Sequence, residues 1–195
     1  MTFTKPITLT GKRVSLEPLT LAHRDALIAA AADGDMWKLW YTSIPAPDTT
    51  LTYIETALDL QSKGSALPFV IRDQRNGTIV GSTRYMNIDA VNRRVEIGST
   101  WHGASAQRSG INRESKLLLL TYAFETLGCI AVEFRTHWFN HQSRTAIAAL
   151  GAKQDGILRN HQKLPDGSLR DTVVFSIIES EWPAVKAHLQ FGLVR

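Results

Sequence analysis

The sequence contains little cysteine and no long apolar run. Cys129 is the one cysteine among its 195 residues. A lone thiol excludes an intramolecular disulfide framework and any metal site built from several thiolates, and it fits a reducing compartment. No segment approaches the roughly 18 consecutive apolar residues of a membrane-spanning helix. We therefore expect a cytoplasmic protein with no membrane association, in which Cys129 is a small buried hydrophobic residue.

A basic stripe and a metal-ligand signature are also missing. Lys and Arg outnumber Asp and Glu by 22 to 18, which gives a formal charge of +4. This excess favours an anionic ligand. The basic residues are scattered in ones and twos without interleaved aromatic residues, and this pattern argues against a nucleic-acid partner. His102, His137 and His161 follow no metal-binding spacing, and we predict no metal.

Length and composition are those of an ordinary globular chain. Hydrophobic residues make up 44% and charged residues 21%, and no linker or low-complexity stretch interrupts the sequence. We therefore predict one domain over residues 1–195. The hydrophobic periods and turn signals predict the order βααβββαβαββ. This order indicates an α/β fold with a mixed, mostly antiparallel central sheet and helices on both faces.

The element boundaries follow from glycine, proline and capping signals. Asn76-Gly77 favours a tight hairpin between two of the strands, because both residues tolerate positive φ. The predicted strands span residues 13–17, 67–73, 78–87, 94–101, 130–138, 157–164 and 171–178. The predicted helices span residues 21–32, 49–63, 112–127, 140–150 and 181–193.

One turn combines a preceding strand, a glycine and the start of a long helix. It is the segment Gln-Arg-Ser-Gly-Ile-Asn at residues 107–112. Unpaired N–H groups at the positive end of a helix dipole suit phosphate oxygens. Gly110 permits close backbone approach, Ser109 and Asn112 add neutral donors, and Arg108 adds a charge. The alternative is that Ser109 or Asn112 merely caps the helix. The residues by themselves predict an anion site.

From Val95 to Gly151 the sequence resembles the GNAT superfamily of N-acetyltransferases. The pyrophosphate motif of that superfamily is Gln/Arg-x-x-Gly-x-Gly/Ala, and Gln107 and Gly110 match it. Asn112 stands at the last position, where a small residue is usual, and there either narrows the loop or provides an extra hydrogen bond to the cofactor. Three further segments look like the ribosomal-protein N-acetyltransferase (RimJ/RimL-type) branch, namely Leu9-Thr10-Gly11-Lys12-Arg13-Val14, Asn140-x-x-Ser143 and Leu150-Gly151-Ala152.

The resemblance implies the GNAT fold and an acetyl-CoA-dependent N-acetyltransferase that transfers directly to a primary amine in a ternary complex. The acceptor is a small-molecule amine or a protein N-terminus, and a homodimer is compatible with it. A catalytically weak acyl-CoA-binding sensor or scaffold is the alternative. Backbone N–H groups of residues 100–102 are implied to polarise the thioester carbonyl. The implied cofactor-binding residues are Trp101, His102, Gln107, Arg108, Ser109, Gly110, Ile111, Asn112, Asn140 and Ser143.

Acetyl transfer needs an unprotonated amine and a proton for the leaving thiolate. Glu96 alternates with apolar neighbours and stands where GNAT enzymes carry an acidic residue, so it is the candidate base. Its alternative is a solvated carboxylate that pairs with Arg84 or Arg94. Ser143 stands where relatives place a Tyr or Ser near the cofactor sulfur, and its alternative is a helix-surface serine. Asn140 is a helix N-cap by its position.

Three aromatic residues fall between the first two predicted helices. They are Trp37, Trp40 and Tyr41. GNAT enzymes commonly build the acceptor side of their cleft from this region, which makes the three residues candidates for substrate binding. Core packing is the competing interpretation, because aromatic side chains bury large areas wherever they lie.

Overall fold

The computed structural model of the chain describes residues 3–194. Eight strands form one sheet in the order β1-β2-β3-β4-β5-β6-β8-β7, and only the β5–β6 pair in this part of the chain is parallel. The strands are β1 (Leu9–Thr10), β2 (Val14–Pro18), β3 (Leu67–Asp73), β4 (Ile79–Asp89), β5 (Arg94–His102), β6 (Ala131–His137), β7 (Lys153–Lys163) and β8 (Leu169–Ile178).

Helices cover both faces of this sheet. The helices are α1 (Arg24–Ala32), α2 (Thr50–Ser62), α3 (Ile111–Thr121), α4 (His141–Ala148) and α5 (Trp182–Val194). Leu27 of α1 and Ile54 of α2 pack with Val70 in one apolar cluster. Leu119 of α3 and Leu189 of α5 belong to a second, larger cluster. The predicted mixed, mostly antiparallel sheet with helices on both faces is confirmed. Within residues 3–194, no helix is both long and apolar enough to span a bilayer.

The structure corrects several boundaries. The two-residue strand β1 was absent from the sequence prediction, and β7 starts at Lys153 instead of residue 157. Almost all β7 residues are exposed at the edge of the sheet, so no apolar alternation marks where this strand begins. The helix expected at residues 112–127 starts at Ile111 and ends in a π-helical turn, Tyr122–Thr126. Cys129 is buried in the core as expected.

Strands β5 and β6 are paired along only three residues. Arg94 to Glu96 pair with Ala131 to Glu133, and the ladder between the two strands stops there. Each strand is held by its other neighbour beyond this point, because β5 remains paired with β4 up to His102 and β6 remains paired with β8 up to His137. The two strands therefore diverge and leave an opening within the sheet.

A β-bulge changes the direction of side chains along β5. Ser99 and Thr100 lie opposite the single β4 residue Thr83, and Ser99 has a φ of 46°. An extra residue of this kind reverses the alternation of the strand. Ile97, before the bulge, packs in the cluster beneath α3, so its neighbour Glu96 faces the opposite side. Thr100, after the bulge, faces α3 again. Residues on both sides of the sheet therefore meet at the opening.

Glu114 joins α3 to the start of the sheet. Its Oε1 accepts a hydrogen bond from the Lys12 backbone N–H at 3.0 Å, and its Oε2 accepts from Arg13 at 2.7 Å and Val14 at 2.9 Å. A Cβ at Gly11 would lie 2.6 Å from the Glu114 Cδ, so only glycine leaves room for this carboxylate. The contact holds α3 at a set height above the sheet.

We predict that Glu114→Ala destabilises the fold by about 3 kcal/mol, because it leaves buried N–H donors without an acceptor. Urea unfolding followed by circular dichroism measures the change. Glu55→Ala on the exposed face of α2 is the matched control, and we expect it to change stability by less than about 0.5 kcal/mol. Equal unfolding midpoints for the two variants would contradict the anchoring role of Glu114.

Candidate active site

A deep cleft occupies the opening between β5 and β6. Its volume is about 1180 Å³. Its walls come from β5, β6, the first turns of α3, helix α4, the segment before α2 and the β7–β8 hairpin. The opening exposes the facing edges of two strands whose backbone groups have no ladder partner across it. An extended ligand with amide groups can therefore pair with both walls.

The anion-binding turn leads into α3 at one end of this cleft. Arg108 and Gly110 both have left-handed backbone angles, with φ values of 58° and 86°. Gly110 is the N-cap of α3, so the alternative that Ser109 or Asn112 caps the helix is wrong. The first bond of the helix backbone runs from Glu114 N–H to the Gly110 carbonyl at 3.0 Å. The first N–H group of the helix donates to Ser109 Oγ at 3.4 Å, and the next two have no carbonyl of the helix to reach and suit an anion.

The residues of the turn differ in how they meet the cleft. Gln107, Arg108 and Asn112 line it, whereas Ser109, Gly110 and Ile111 are not part of its lining. The Ile111 side chain is completely buried in the core, so only its backbone could contact a cofactor. The hydroxyl of Ser109 donates to the Ala106 carbonyl at 2.6 Å and stabilises the turn itself.

Helix α4 forms the wall opposite α3. Asn140 is its N-cap, as predicted, and the side-chain Oδ1 accepts from the Ser143 backbone N–H at 3.0 Å. Asn140 and Ser143 both line the cleft. Gln142 Nε2 donates to Gln107 Oε1 at 3.0 Å and thereby links α4 to the anion-binding turn. The two elements that the sequence singled out on either side of β6 are therefore brought together.

Glu96 is a buried carboxylate at the point where β5 and β6 part. Asn87 Nδ2 donates to its Oε2 at 2.7 Å, and Arg135 Nε lies 3.5 Å from the same oxygen. Burial raises the pKa of Glu96, while the Asn87 hydrogen bond and the Arg135 charge act in the opposite direction. The alternative of a solvated carboxylate paired with Arg84 or Arg94 is wrong, because Glu96 is 5% exposed and Arg94 pairs with Glu133.

Gly98 leaves space beside the Glu96 carboxylate. A Cβ at this position would lie 3.0 Å from Glu96 Oε1 and 2.5 Å from the sulfur of Met86. Any side chain here would have to displace one of the two. The oxygen that Asn87 does not bind therefore stays accessible from the cleft, which is what a group that accepts a proton from a ligand requires.

The three aromatic residues have different environments. Trp37 packs against the cluster formed with α1 and α2 and is not part of the cleft lining. Tyr41 lines the cleft. Trp40 is 59% exposed at the rim, with its ring 5.1 Å from His137 and 5.9 Å from Phe139. Trp40 and Tyr41 are in edge-to-face contact at 5.6 Å.

Trp101 and His102 are two buried residues of the cleft, and Trp101 packs in the cluster with α1 and α2, on the sheet face opposite α3. Trp101 lines the cleft and donates from Nε1 to the Tyr53 hydroxyl at 3.3 Å. His102 is nearly fully buried, and burial lowers its pKa to about 3, so it is neutral. Its Nε2 has no hydrogen-bond partner in the described part of the chain. Within residues 3–194, no group of three or more His, Cys, Asp or Glu side chains is placed to hold a metal ion.

Sequence reasoning missed Lys116. This lysine lies on α3, is 5% exposed and lines the cleft. Its Nζ donates to Thr100 Oγ1 at 2.6 Å. The available signal was its position four residues before Leu120, which places a charge on the apolar stripe of an amphipathic helix. Charged residues are seldom buried unless they have a specific role or partner.

Comparisons with known proteins agree with this geometry. A family profile described as "Acetyltransferase (GNAT) domain" matches residues 13–153. The chain is 28% identical over 178 residues to "Uncharacterized N-acetyltransferase p20" of Bacillus licheniformis, covering 90% of this chain and 98% of that protein. A GCN5-related N-acetyltransferase from Brucella melitensis superposes with a TM-score of 0.86 at 31% identity, covering 97% of this chain and 86% of that one.

A further solved structure shares the fold. Mycobacterium smegmatis RimJ in complex with CoA-disulfide superposes with a TM-score of 0.82 at 23% identity, covering 100% of this chain and 98% of that one. The residues of the cleft fit a CoA group, because the turn at Arg108 offers a cation and unpaired N–H groups for phosphate and the diverging strands offer backbone partners for an extended arm. The chain belongs to the GNAT family of acetyltransferases, whose co-substrate is acetyl-CoA.

Proposed function

We propose that this chain transfers the acetyl group of acetyl-CoA to a primary amine in a ternary complex, with Glu96 as the base. The buried carboxylate beside the opening between β5 and β6 is the observation that carries the proposal. Its position on the sheet face opposite α3 separates the base from the anion-binding turn. Cofactor and acceptor can therefore enter from different sides and meet at the opening.

The cofactor is held by groups that converge on the α3 side. Arg108 and the free N–H groups at the start of α3 bind the pyrophosphate, and Asn112 adds a side-chain amide. Asn140 and Ser143 border the path of the extended arm. When bound, acetyl-CoA supplies an acetyl thioester that an unprotonated amine can attack. Residues 100–102, directly after the bulge, offer backbone N–H groups to polarise the carbonyl.

Glu96 takes the proton that the amine must lose. A carboxylate with a raised pKa is a stronger base than an ordinary glutamate, and Asn87 holds it in one orientation. Gly98 leaves the space beside its Oε1 open to the acceptor. Arg135 keeps a fraction of the carboxylate ionised despite its burial.

Direct transfer is favoured because the cleft contains no reactive thiol that could form a covalent intermediate. Cys129 is the one cysteine and is buried in the core, where burial raises its pKa to about 11. A thiol in that state is a poor nucleophile at neutral pH. It is also absent from the lining of the cleft. The acetyl group therefore passes from cofactor to amine without resting on a cysteine.

The acceptor enters past Trp40 and Tyr41. Trp40 forms an exposed aromatic rim with His137 and Phe139, and Tyr41 lies inside it. A flat apolar rim of this kind binds a side chain or an extended backbone without demanding one sequence. A small-molecule amine and a protein N-terminus both fit this rim. The cytoplasmic location of the protein stays a prediction.

We predict that Asn112→Ala raises the CoA dissociation constant about fivefold, which corresponds to the loss of one hydrogen bond of about 1 kcal/mol. Isothermal titration calorimetry with CoA measures it. Asn92→Ala, in the exposed turn before β5, is the matched control and should leave the affinity unchanged. Unchanged affinity in Asn112→Ala would show that this side chain does not contact the cofactor.

We predict that Glu96→Gln lowers kcat/KM by about 10²-fold or more, because the amide cannot accept the amine proton. The folded-state pKa of Glu96 is raised, so its base form appears as pH rises through a value above that of an ordinary glutamate. The acid limb of the wild-type pH–rate profile should reflect that titration and should be lost in the variant. An unchanged rate and profile would remove Glu96 from the mechanism.

Acetyl-CoA consumption against a panel of amines tests the function itself. Peptides with free N-termini, amino acids, polyamines and amine-bearing antibiotics form the panel, and the same peptides with blocked N-termini are the controls. We expect turnover that depends on a free amine. Double-reciprocal plots of the initial rate should give intersecting lines when both substrates are varied. Parallel lines with a trapped acetyl-enzyme would contradict direct transfer. Tight CoA binding without turnover on any amine would indicate the acyl-CoA-binding sensor instead.

A further inference from the structure

Lys116 is a buried cation with no anionic partner. It lies on the second turn of α3, on the same side of the sheet as the anion-binding turn. No carboxylate of the described chain lies within ion-pairing distance of its Nζ. Its partner is the hydroxyl of Thr100, which is in turn 2.7 Å from the hydroxyl of Thr83. Two neutral hydroxyls orient the ammonium and leave its charge uncompensated.

The groups around Lys116 leave this charge uncancelled. On β5, His102 is neutral and Glu96 lies on the other face of the sheet. On β4, the Tyr85 hydroxyl donates its hydrogen bond to the Leu119 carbonyl. On α3 itself, Glu114 is occupied by three backbone N–H groups of the β1–β2 segment. Across the opening, β6 contributes His137, whose Nδ1 accepts from the Phe139 backbone N–H.

Burial alone lowers the pKa of Lys116 to about 7. The ammonium and the neutral amine are therefore both accessible near neutral pH, which is the property that suits a proton donor in catalysis. Two other candidate donors of the cleft are weaker. The Ser143 hydroxyl is far less acidic than an ammonium, and the neutral imidazole of His102 has no readily released proton.

We propose that Lys116 is the general acid that protonates the departing CoA thiolate. This inference rests on the proposed direct transfer. The acceptor nitrogen bonds to the acyl carbon, and the bond between that carbon and sulfur breaks with its electron pair left on sulfur. A proton moves from Lys116 Nζ to that sulfur, which yields the CoA thiol and a neutral lysine. The lysine then regains a proton from solvent, while the proton lost by the acceptor amine leaves through Glu96.

Thr100 acts as the positioning residue for this acid. Its hydroxyl faces α3 only because the bulge at Ser99 reverses the alternation of β5. A regular strand would place Thr100 on the face of Glu96, and Lys116 would lose its hydrogen-bond acceptor. The same bulge therefore places the hydroxyl that orients the acid on the sheet face opposite the base.

The first experiment measures the thiol of bound CoA and does not require turnover. The thiolate absorbance of CoA is titrated against pH in the presence of saturating wild-type enzyme, and the free cofactor is the reference. Because the ammonium and the thiolate stabilise each other, the two groups titrate as a pair, and the bound thiol should ionise about one pH unit or more below free CoA. Lys116→Met should abolish this shift, whereas Lys116→Arg should retain it. Lys63→Met, an exposed lysine at the end of α2, is the matched control and should behave as wild type.

The second experiment measures kcat against pH for the same proteins. The acid form of Lys116 is present below its pKa, so the wild-type rate should fall as pH rises through about 7. Lys116→Arg stays charged but cannot release its proton, and it should lose this alkaline limb together with about 10²-fold in kcat. Thr100→Val should shift the limb without removing it.

The outcomes distinguish the role of Lys116 from the proposed acetyl transfer. A bound thiol that titrates like free CoA in the wild-type enzyme would overturn the role of Lys116 even if every variant failed to fold. Turnover with an unchanged alkaline limb in Lys116→Arg would overturn it as well, and would leave the proposed acetyl transfer intact. A shifted thiol pKa without turnover on any amine would support the placement of Lys116 and contradict the proposed function.

Discussion

The divergence of β5 and β6 is the constraint on which the rest of the site depends. Three residues of parallel pairing are enough to register the two halves of the sheet, and the ladders to β4 and β8 keep the strands extended after they separate. An opening within a sheet normally leaves unpaired backbone groups that cost free energy. Here those groups border a cleft and can bind a ligand that carries amides of its own.

The bulge at Ser99 converts this opening into a site with two chemically different sides. Glu96 and Gly98 precede it and face away from α3, whereas Thr100 and His102 follow it and face α3. Two charged side chains of opposite sign are thereby kept apart within one cleft. Each keeps a perturbed pKa because it is buried without being neutralised by the other.

Helix α3 connects the two ends of this arrangement. Its first turn offers free N–H groups to an anion, its second turn carries Lys116, and Glu114 between them fastens the helix to the start of the sheet. Because Gly11 leaves room for that carboxylate, a glycine far from the cleft contributes to the position of the anion-binding turn. Movement of α3 would disturb the anion site and the lysine together.

Local sequence patterns determined much of this protein. The order of the longer helices and strands, the presence of a hairpin between β3 and β4, the anion-binding turn before α3 and the Asn140 cap all follow from periodicity or from residues a few positions apart. The alternation around Glu96 also predicted which way its side chain points. Resemblance to the GNAT superfamily then indicated what the turn binds.

Tertiary structure alone decided how these parts act on one another. The Asn87 and Arg135 contacts of Glu96 come from neighbouring strands. Trp37 packs on the cluster with α1 and α2, whereas Trp40 stays exposed, and nothing in the local sequence distinguishes the two. The hydrogen-bond acceptor of Lys116 faces it because of a bulge in another element. A sequence pattern records the period of one element, whereas burial, and with it the pKa of a titratable group, is set by what other elements place around it.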